Sequence, residues 1–356
     1  MAGSTRDVTI KLTPETRTTV VDVAQQLAAE HGERLASFSK LLYCSHHTTA
    51  GFLEQSLCAR IRHRRESVEA LVQSAKKLFP EGAAYWHDRM EMRSELTEEQ
   101  KVVEPLNADS HLAYIGLGME NCVTYDNNPD VPVYFIDLDG VYQGTHRLRK
   151  ATVVGFNSSE TVMECTLRIP VSPRVVDSVN VFDPRSGFAE QLNELLRIHK
   201  VQRGKIELSL PPTEQHAGLT MNEYETLLMK HDLMEVLRNP FRFMAHEASS
   251  IVHNPKALPQ MAKGYIKYDL VRVVDQVIKS LHLNESLVER VFDRIAAVSN
   301  ARRLRLKRSV TMLINTTAQD REGSIVRGTY QSPILLQWRR ATDELRRVNV
   351  RLIRLE

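Results

Sequence analysis

KLLYCSHHTTAGFLEQ, residues 40–55, decides how the chain is read. An apolar run, Leu41-Leu42-Tyr43-Cys44, ends at Ser45 and two histidines. Thr48, Thr49, Ala50 and Gly51 then lead into a segment with apolar positions at helical spacing. The pattern predicts a buried strand, a tight turn and a helix start. Small residues at such a turn leave backbone N–H groups uncovered, and a helix N-terminus adds about half a positive charge directed the same way. Thr48 and Thr49 bring hydroxyls, and His46 and His47 bring imidazoles that titrate near neutrality. The stretch predicts a cradle for a phosphate or carboxylate. The plain alternative is a polar strand end with a helix cap.

On either side the pattern alternates between strand and helix. Asp7–Leu12 reads as a strand, Val20–His31 as a helix, and Phe52–Phe79 as a long helix carrying the solvated basic run RIRHRR. Pro80 and Gly82 end it. Residues 107–118, NADSHLAYIGLG, read as a helix of small residues. The period then falls to two through CVTY, VPVYFID, GVYQGTHRLRKATVVGF and TVMECTLRIPV, with turns at Asn127-Asn128-Pro129 and Asp139-Gly140. The second half repeats the order. It has a helix over 187–199, a strand at KIELSL, a helical region over 222–300 broken near Pro240 and Pro255, and closing strands VTMLIN, SIVRGTYQSPILLQW and RRVNVRLIRL. Runs of antiparallel strands beside helices indicate an α+β fold.

The halves align with each other. HHTTAGFLEQ matches EQHAGLTMNE through Ala-Gly, and GVYQGTHRLRKATVV matches GSIVRGTYQSPILLQW through Gly-Thr. Two similar domains are expected, residues 1–170 and 171–356, each a mostly antiparallel sheet packed with helices. A chain of 356 residues suits two cores.

Composition narrows the function. Hydrophobic content of 42% and charged content of 26% are those of an ordinary globular protein. A net charge of +3 gives no basis for nucleic-acid binding. Cys44, Cys58, Cys122 and Cys165 are scattered and read as reduced thiols. No secretion signal and no membrane-spanning run is present, so a cytoplasmic protein is expected, with no membrane partner.

The first half resembles the YjbQ-like family, also described as secondary thiamine-phosphate synthases. The residues that carry the resemblance are His47-Thr48-Thr49-Ala50, Tyr85-Trp86-His87, Asn107-Ala108-Asp109-Ser110-His111-Leu112 and Gly144-Thr145-His146-Arg147, in the family's order. The second half resembles a diverged copy, with Ala217-Gly218-Leu219-Thr220-Met221-Asn222-Glu223 and Gly328-Thr329-Tyr330-Gln331. Each copy departs differently. The first has Gln55-Ser56 for the family's Asn-Glu and Arg147 for its glutamine. The second has Glu214 for the histidine of the first motif, and no clear NAxxHL.

The resemblance implies ring-shaped trimers with a pocket between neighbouring subunits. A homo-oligomer is therefore expected, with a composite site between unlike copies. It also implies that His47, His87 and His111 converge. Three imidazoles could hold a divalent metal such as zinc, or act without metal as acid, base and phosphate donors. Glu223 is the expected catalytic carboxylate beside them, and Asp109 a weaker candidate that could simply cap its helix. Substrate binding is expected from Thr48, Thr49, Gly51, Asn107, Arg147, Asn222 and Gln331. The family's reported activity joins a pyrimidine pyrophosphate to a thiazole phosphate, and nothing in the sequence specifies those substrates. The expectation is an enzyme, a transferase or lyase, acting on a small phosphorylated metabolite by transfer, elimination or hydrolysis of a phosphate-bearing group. The alternative is a non-catalytic ligand-binding or scaffold protein built on the duplicated fold.

Overall fold

The computed structural model describes residues 5–238, 242–243, 306–316 and 323–356. In the first half the order is β1 (Arg6–Leu12), β2 (Thr19–Asp22), α1 (Val23–Leu35), β3 (Lys40–Ser45), β4 (Ala50–Phe52), α2 (Gln55–Arg60), α3 (Arg65–Leu78), α4 (Glu98–Val103) and α5 (Ala108–Leu117). Then come β5 (Cys122–Asp126), β6 (Tyr134–Asp137), β7 (Val141–Tyr142), β8 (Thr145–His146) and β9 (Arg149–Phe156). The second half has β10 (Ser159–Pro170), β11 (Asp177–Asn180), α6 (Phe188–His199), β12 (Gly204–Ser209), β13 (Ala217–Glu223) and α7 (Leu233–Arg238). It closes with β14 (Ser309–Thr316), β15 (Gly323–Val326), β16 (Gln331–Gln337) and β17 (Leu345–Leu355).

Among the described residues every strand pair is antiparallel, and the fold is α+β. The strand order is the same in the two halves. β1-β9-β3-β5 is answered by β10-β17-β12-β14, which β15 extends, and β2-β6-β4 is answered by β11-β16-β13. Register fixes the equivalences residue by residue. Ala50 pairs with Asp137 as Ala217 pairs with Gln337, and Asp22 pairs with Tyr134 as Asn180 pairs with Ile334. The side chains follow: Asp22 accepts from the Ala24 N–H at 3.0 Å, and Asn180 from the Phe182 N–H at 2.9 Å.

The chain divides into two compact units that cut across this repeat. One comprises Met1–His63, Met119–Tyr224 and Lys307–Glu356; the other comprises Arg64–Gly118 and Glu225–Leu306. The first unit holds all the sheets of both halves. The second draws on the segment that follows β4 and α2 in one half and the segment that follows β13 in the other.

The first unit has a core for each half, one around Ile10, Val23, Leu27, Phe52, Phe135 and Val153, the other around Phe188, Leu192, Leu208, Leu219, Met312 and Val350. Alternation drives it: β1 buries Val8, Ile10 and Leu12 and exposes the residues between them. In the second unit α3 buries Val68, Leu71, Val72, Ala75 and Leu78 at helical spacing, each leucine contributing about 1.5–3 kcal/mol. Helix α5 is buried along its whole length, begins after Asn107 and stops at Gly118, whose φ of 63° only glycine adopts without strain.

Several expectations are corrected. After the His-His-Thr-Thr turn comes a strand, β4, and not a helix, because Ala50, Gly51 and Phe52 are buried and pair with β6. The equivalent Ala217-Gly218 also opens a strand. The nearest helix, α2, has only six residues, so the turn has no helix dipole behind it. The expected helix over 52–79 is two helices. Arg62 and His63, at φ 56° and 52°, close the first through the His63 N–H to Cys58 O at 2.8 Å. The RIRHRR run is therefore largely a turn. The short strand β2 precedes α1, and the periodicity extends that helix over it. Of the helical region expected over 222–300, only residues 226–238 are helical among the described residues; Pro240 and Pro255 lie outside them. Gly144-Thr145 and Gly328-Thr329 are not equivalent: the first lies in the β7–β8 hairpin after β6, the second just before β16. Register places Val131, not Arg147, opposite to Gln331 in the repeat, so Arg147 does not replace a glutamine.

Candidate functional site

The first unit holds the turn between β3 and β4. Ser45 Oγ donates to Ala50 O at 2.6 Å and accepts from the His47 N–H at 3.3 Å, which closes the turn on itself. Side chains of the second half grip its carbonyls. Asn222 Nδ2 donates to Thr48 O at 3.1 Å, and Gln331 Nε2 donates to Ser45 O at 3.1 Å and to His47 O at 2.7 Å. Gly328 donates to Gln331 Oε1 at 2.9 Å and lies so close that a Cβ there would sit 1.9 Å from His46 O. Motif residues of the second copy thus hold the motif turn of the first. Thr49 is buried and its carbonyl accepts from Leu138 N–H at 3.1 Å; Gly51 is a strand residue paired with Ile136. Glu223 ends β13, half-buried, opposite Gln331.

His47 Nε2 accepts the Lys150 N–H at 2.9 Å, so its ring proton is on Nδ1. Burial first, then the Arg149 cation, His46 and Arg147, push its pKa down to about 3. His46 is also lowered, by burial and Lys150, and its Nε2 is 2.9 Å from Thr152 Oγ1. Beside them Arg149, buried, donates to both oxygens of Asp137 at 2.7 and 2.8 Å, and Arg147, 35% exposed, pairs with buried Asp139.

The second unit holds a denser network around His87, whose side chain is inaccessible to solvent. His87 Nδ1 lies 2.8 Å from Glu225 Oε2 and Nε2 lies 3.2 Å from Asn107 Oδ1. With the Glu225 carboxylate on Nδ1 and Asn107 Oδ1 on Nε2, the charged ring donates to both. The pKa follows: burial alone would lower it, but the Glu225 carboxylate outweighs that and Arg93's repulsion, and the net shift is upward. Glu225 ends up lowered: burial opposes that, while His87 and the N–H groups of Leu227 and Leu228, at 2.6 and 2.7 Å, hold it ionised. The His111 ring stacks edge-on with His87, centroids 5.4 Å apart. Arg93 Nη1 stands 3.5 Å from His87 Nδ1, and the buried arginine also pairs with Glu95 and Glu104.

Asp232 fixes the backbone. It accepts the Trp86 and His87 N–H groups, each at 2.9 Å, at the end of a π-helical turn over Leu228–Asp232. Burial pushes its carboxyl up to about 7 despite those two hydrogen bonds. Asp88 Oδ1 accepts from Ala108 N–H at 3.1 Å, tying the His87 segment to the start of α5. Asp109 is buried in the first turn of α5, whose N-cap position is Asn107.

Of the expected residues, the fold brings His87, Asn107 and His111 together. His47, Thr48, Thr49, Gly51, Arg147, Asn222, Glu223 and Gln331 belong to the first unit. The carboxylate on His87 is Glu225, two residues beyond the expected Glu223. The acidic doublet of NEYE was the available signal, and which of its members points to a histidine is set by where β13 ends. Arg93 and Asp232 had no signal. Among the described residues no three His, Cys, Asp or Glu side chains are placed to hold a metal ion. The ring atoms explain why: His47 Nε2 takes a backbone N–H, and both nitrogens of His87 face oxygen acceptors. A zinc ligand set of His47, His87 and His111 does not fit these hydrogen bonds.

No family model matches the chain, and no curated protein matches it. Among solved structures it is similar to a hypothetical protein from Aeropyrum pernix K1, at 14% identity over 54% of this chain and 98% of that one, with a TM-score of 0.29. It is similar to a YbjQ-like protein of unknown function from Sulfolobus solfataricus P2, at 12% identity over 55% and 99%, with a TM-score of 0.28. A third is an uncharacterized conserved protein of the YjbQ family from Clostridium acetobutylicum, at 14% identity over 54% and 99%, with a TM-score of 0.26. Each match spans nearly the whole of a shorter chain and about half of this one; at these scores the likeness says nothing about chemistry. What the comparisons give is a chain similar, over about half its length, to YjbQ-like proteins.

Proposed function

We propose that the protein is an enzyme of proton-transfer chemistry on a small phosphorylated metabolite, transferring, eliminating or hydrolysing a phosphate-bearing group. The observation that carries it is His87, an imidazole whose Nδ1 is held by a buried carboxylate and whose Nε2 faces a neutral amide oxygen. A carboxylate on one nitrogen orients the ring and stabilises its charged form; the other nitrogen can then give a proton to a substrate oxygen that takes the place of Asn107 Oδ1. Arg93, beside it, is a permanent cation suited to an anionic group. His47, held neutral with Arg147 and Arg149 as neighbours, suits the same class of ligand. No step is routed through a metal.

The test is a thermal-shift and turnover screen of phosphorylated metabolites on the full chain, with His87→Gln and Glu225→Gln beside it. The expected result is a ligand that raises the melting temperature of all three proteins and is turned over about 100-fold or more slowly by each variant than by wild type. Turnover unchanged in both variants would remove His87 from the chemistry.

A second reading is a non-catalytic ligand-binding or scaffold protein. It is favoured by the motif amides: Asn222, Gln331 and the His47 ring are all committed to backbone groups of the chain itself. A homo-oligomer in the cytoplasm fits either reading, and sedimentation that gives a strict monomer at micromolar concentration would remove the oligomer. No described helix is long and apolar enough to cross a membrane.

A further inference from the structure

Cys44 on β3 and Cys122 on β5 are register partners, and their sulfurs are 2.9 Å apart. That is closer than the about 3.5–4.0 Å at which even carbon atoms pack. One step along the ladder the Ser45 N–H bonds to Asn121 O at 2.6 Å. This makes 44–122 the non-hydrogen-bonded kind of pair, with Cα atoms about 4.5 Å apart. Disulfides span Cα distances of about 4.4–6.8 Å, so a bridge needs side-chain rotation and no backbone shift. Both thiols are buried, among Leu42, Val154, Phe156, Leu313 and Ile353. The other cysteines have different surroundings: Cys58 Sγ meets the Tyr125 hydroxyl at 3.4 Å, and Cys165 is half-buried on β10.

We propose that Cys44 and Cys122 form a modification site, a thiol pair that closes to a cross-strand disulfide when a hydroperoxide reaches it. One sulfur, as thiolate, attacks a peroxide oxygen; the O–O bond breaks, leaving a sulfenic acid and, from hydrogen peroxide, one water. The second sulfur attacks the sulfenic sulfur, forms the S–S bond and expels hydroxide, which takes the second thiol's proton as another water. Two thiols lose two hydrogens and two electrons, and the peroxide accepts both. Burial pushes the Cys122 thiol well up, so little thiolate exists in the closed fold and the reaction waits on local opening of the β3–β5 edge. The bridge would staple the strand that ends in the His46–Thr49 turn. Cys44's other neighbour, Thr152 on β9, is the residue whose hydroxyl meets His46. The reaction needs no assumption about substrate.

The experiment treats the full chain with hydrogen peroxide, with and without urea below the unfolding transition. It then denatures, alkylates, and maps peptides without reductant. Expected are a mass loss of about 2 Da, one linked peptide pair carrying Cys44 and Cys122, faster closure with urea, and a melting temperature raised by about 5 °C that reductant reverses. A Cys58→Ala/Cys165→Ala double variant should close equally well, and Cys44→Ala should not close. Linkage to Cys58 or Cys165 in wild type would overturn the proposal. So would sulfinic acid at either thiol without linkage, or full alkylation of both after prolonged exposure in urea.

Discussion

The two halves solve one problem with exchanged side chains. In the first, His47 Nε2 takes the N–H of Lys150, and Arg149 is neutralised by Asp137. In the second, Glu214, at the position of His47, takes the N–H of Arg347 at 3.0 Å and at the same time neutralises Arg346 at 2.7 Å. Gln337 stands where Asp137 does, and its amide donates to Ser172 O and Arg174 O. Each buried arginine keeps one carboxylate, but the carboxylate has changed strands. An unpaired buried charge costs far more than a pair contributes, so the pair is constrained while its location is free. Where the carboxylate sits on β6, the turn position is left open for a neutral histidine. Where it sits in the turn itself, the site is closed by an ion pair.

The largest test removes the cations. Arg149→Ala and Arg346→Ala should each cost about 3–5 kcal/mol in urea unfolding, since each strands a buried carboxylate. A large loss in one and none in the other would break the equivalence. Next come the glycines that look alike in sequence. Gly328→Ala should cost about 3 kcal/mol, because the new Cβ meets the His46 carbonyl, a backbone atom that cannot swing away. Gly144→Ala has open space and should cost about 1 kcal/mol for its φ of 76° alone. Equal losses would restore the two Gly-Thr pairs to equivalence.

A swap sharpens the comparison further. Asp137→Gln alone should destabilise, and adding His47→Glu should recover part of the loss, with a coupling of about 1–3 kcal/mol in a double-mutant cycle. Additive losses would mean that the second half's solution does not transfer.

The last tests are in pH. His47, depressed from 6.5 to about 3, contributes stability that is present above pH 6.5 and lost as pH falls toward 3. His47→Gln, which keeps an acceptor for Lys150, should flatten the acid limb of the stability curve there. His87, raised above 6.5, behaves oppositely: its contribution is full below pH 6.5 and is lost as pH rises through its folded value. Glu225→Gln should remove that alkaline slope, and ring 15N NMR should show His87 neutral at pH 7. A charged His87 ring in Glu225→Gln would mean that the carboxylate does not set its state.

Local pattern sufficed for much of this. The period of two marked β1, β5, β9, β10, β12, β14 and β17, and the period of 3.6 marked α1, α3 and α6, because each amphipathic face is written in a single segment. Ala50-Gly51 and Ala217-Gly218 were legible as equivalents, and the NAxxHL and YxH motifs named three residues that do come together in the second unit. What the sequence could not show is which distant segment each strand meets. Gly144-Thr145 and Gly328-Thr329 look like one motif, and register alone separates them by an element. Glu223 and Glu225 differ by two residues, yet one ends a strand opposite Gln331 and the other starts a helical segment at His87. Cys44 and Cys122 are far apart in the chain and in contact across a sheet. Pairing register is a property of two segments at once, fixed by burial on both faces and by hydrogen bonds between them, so the site's partners were decided only when the strands met.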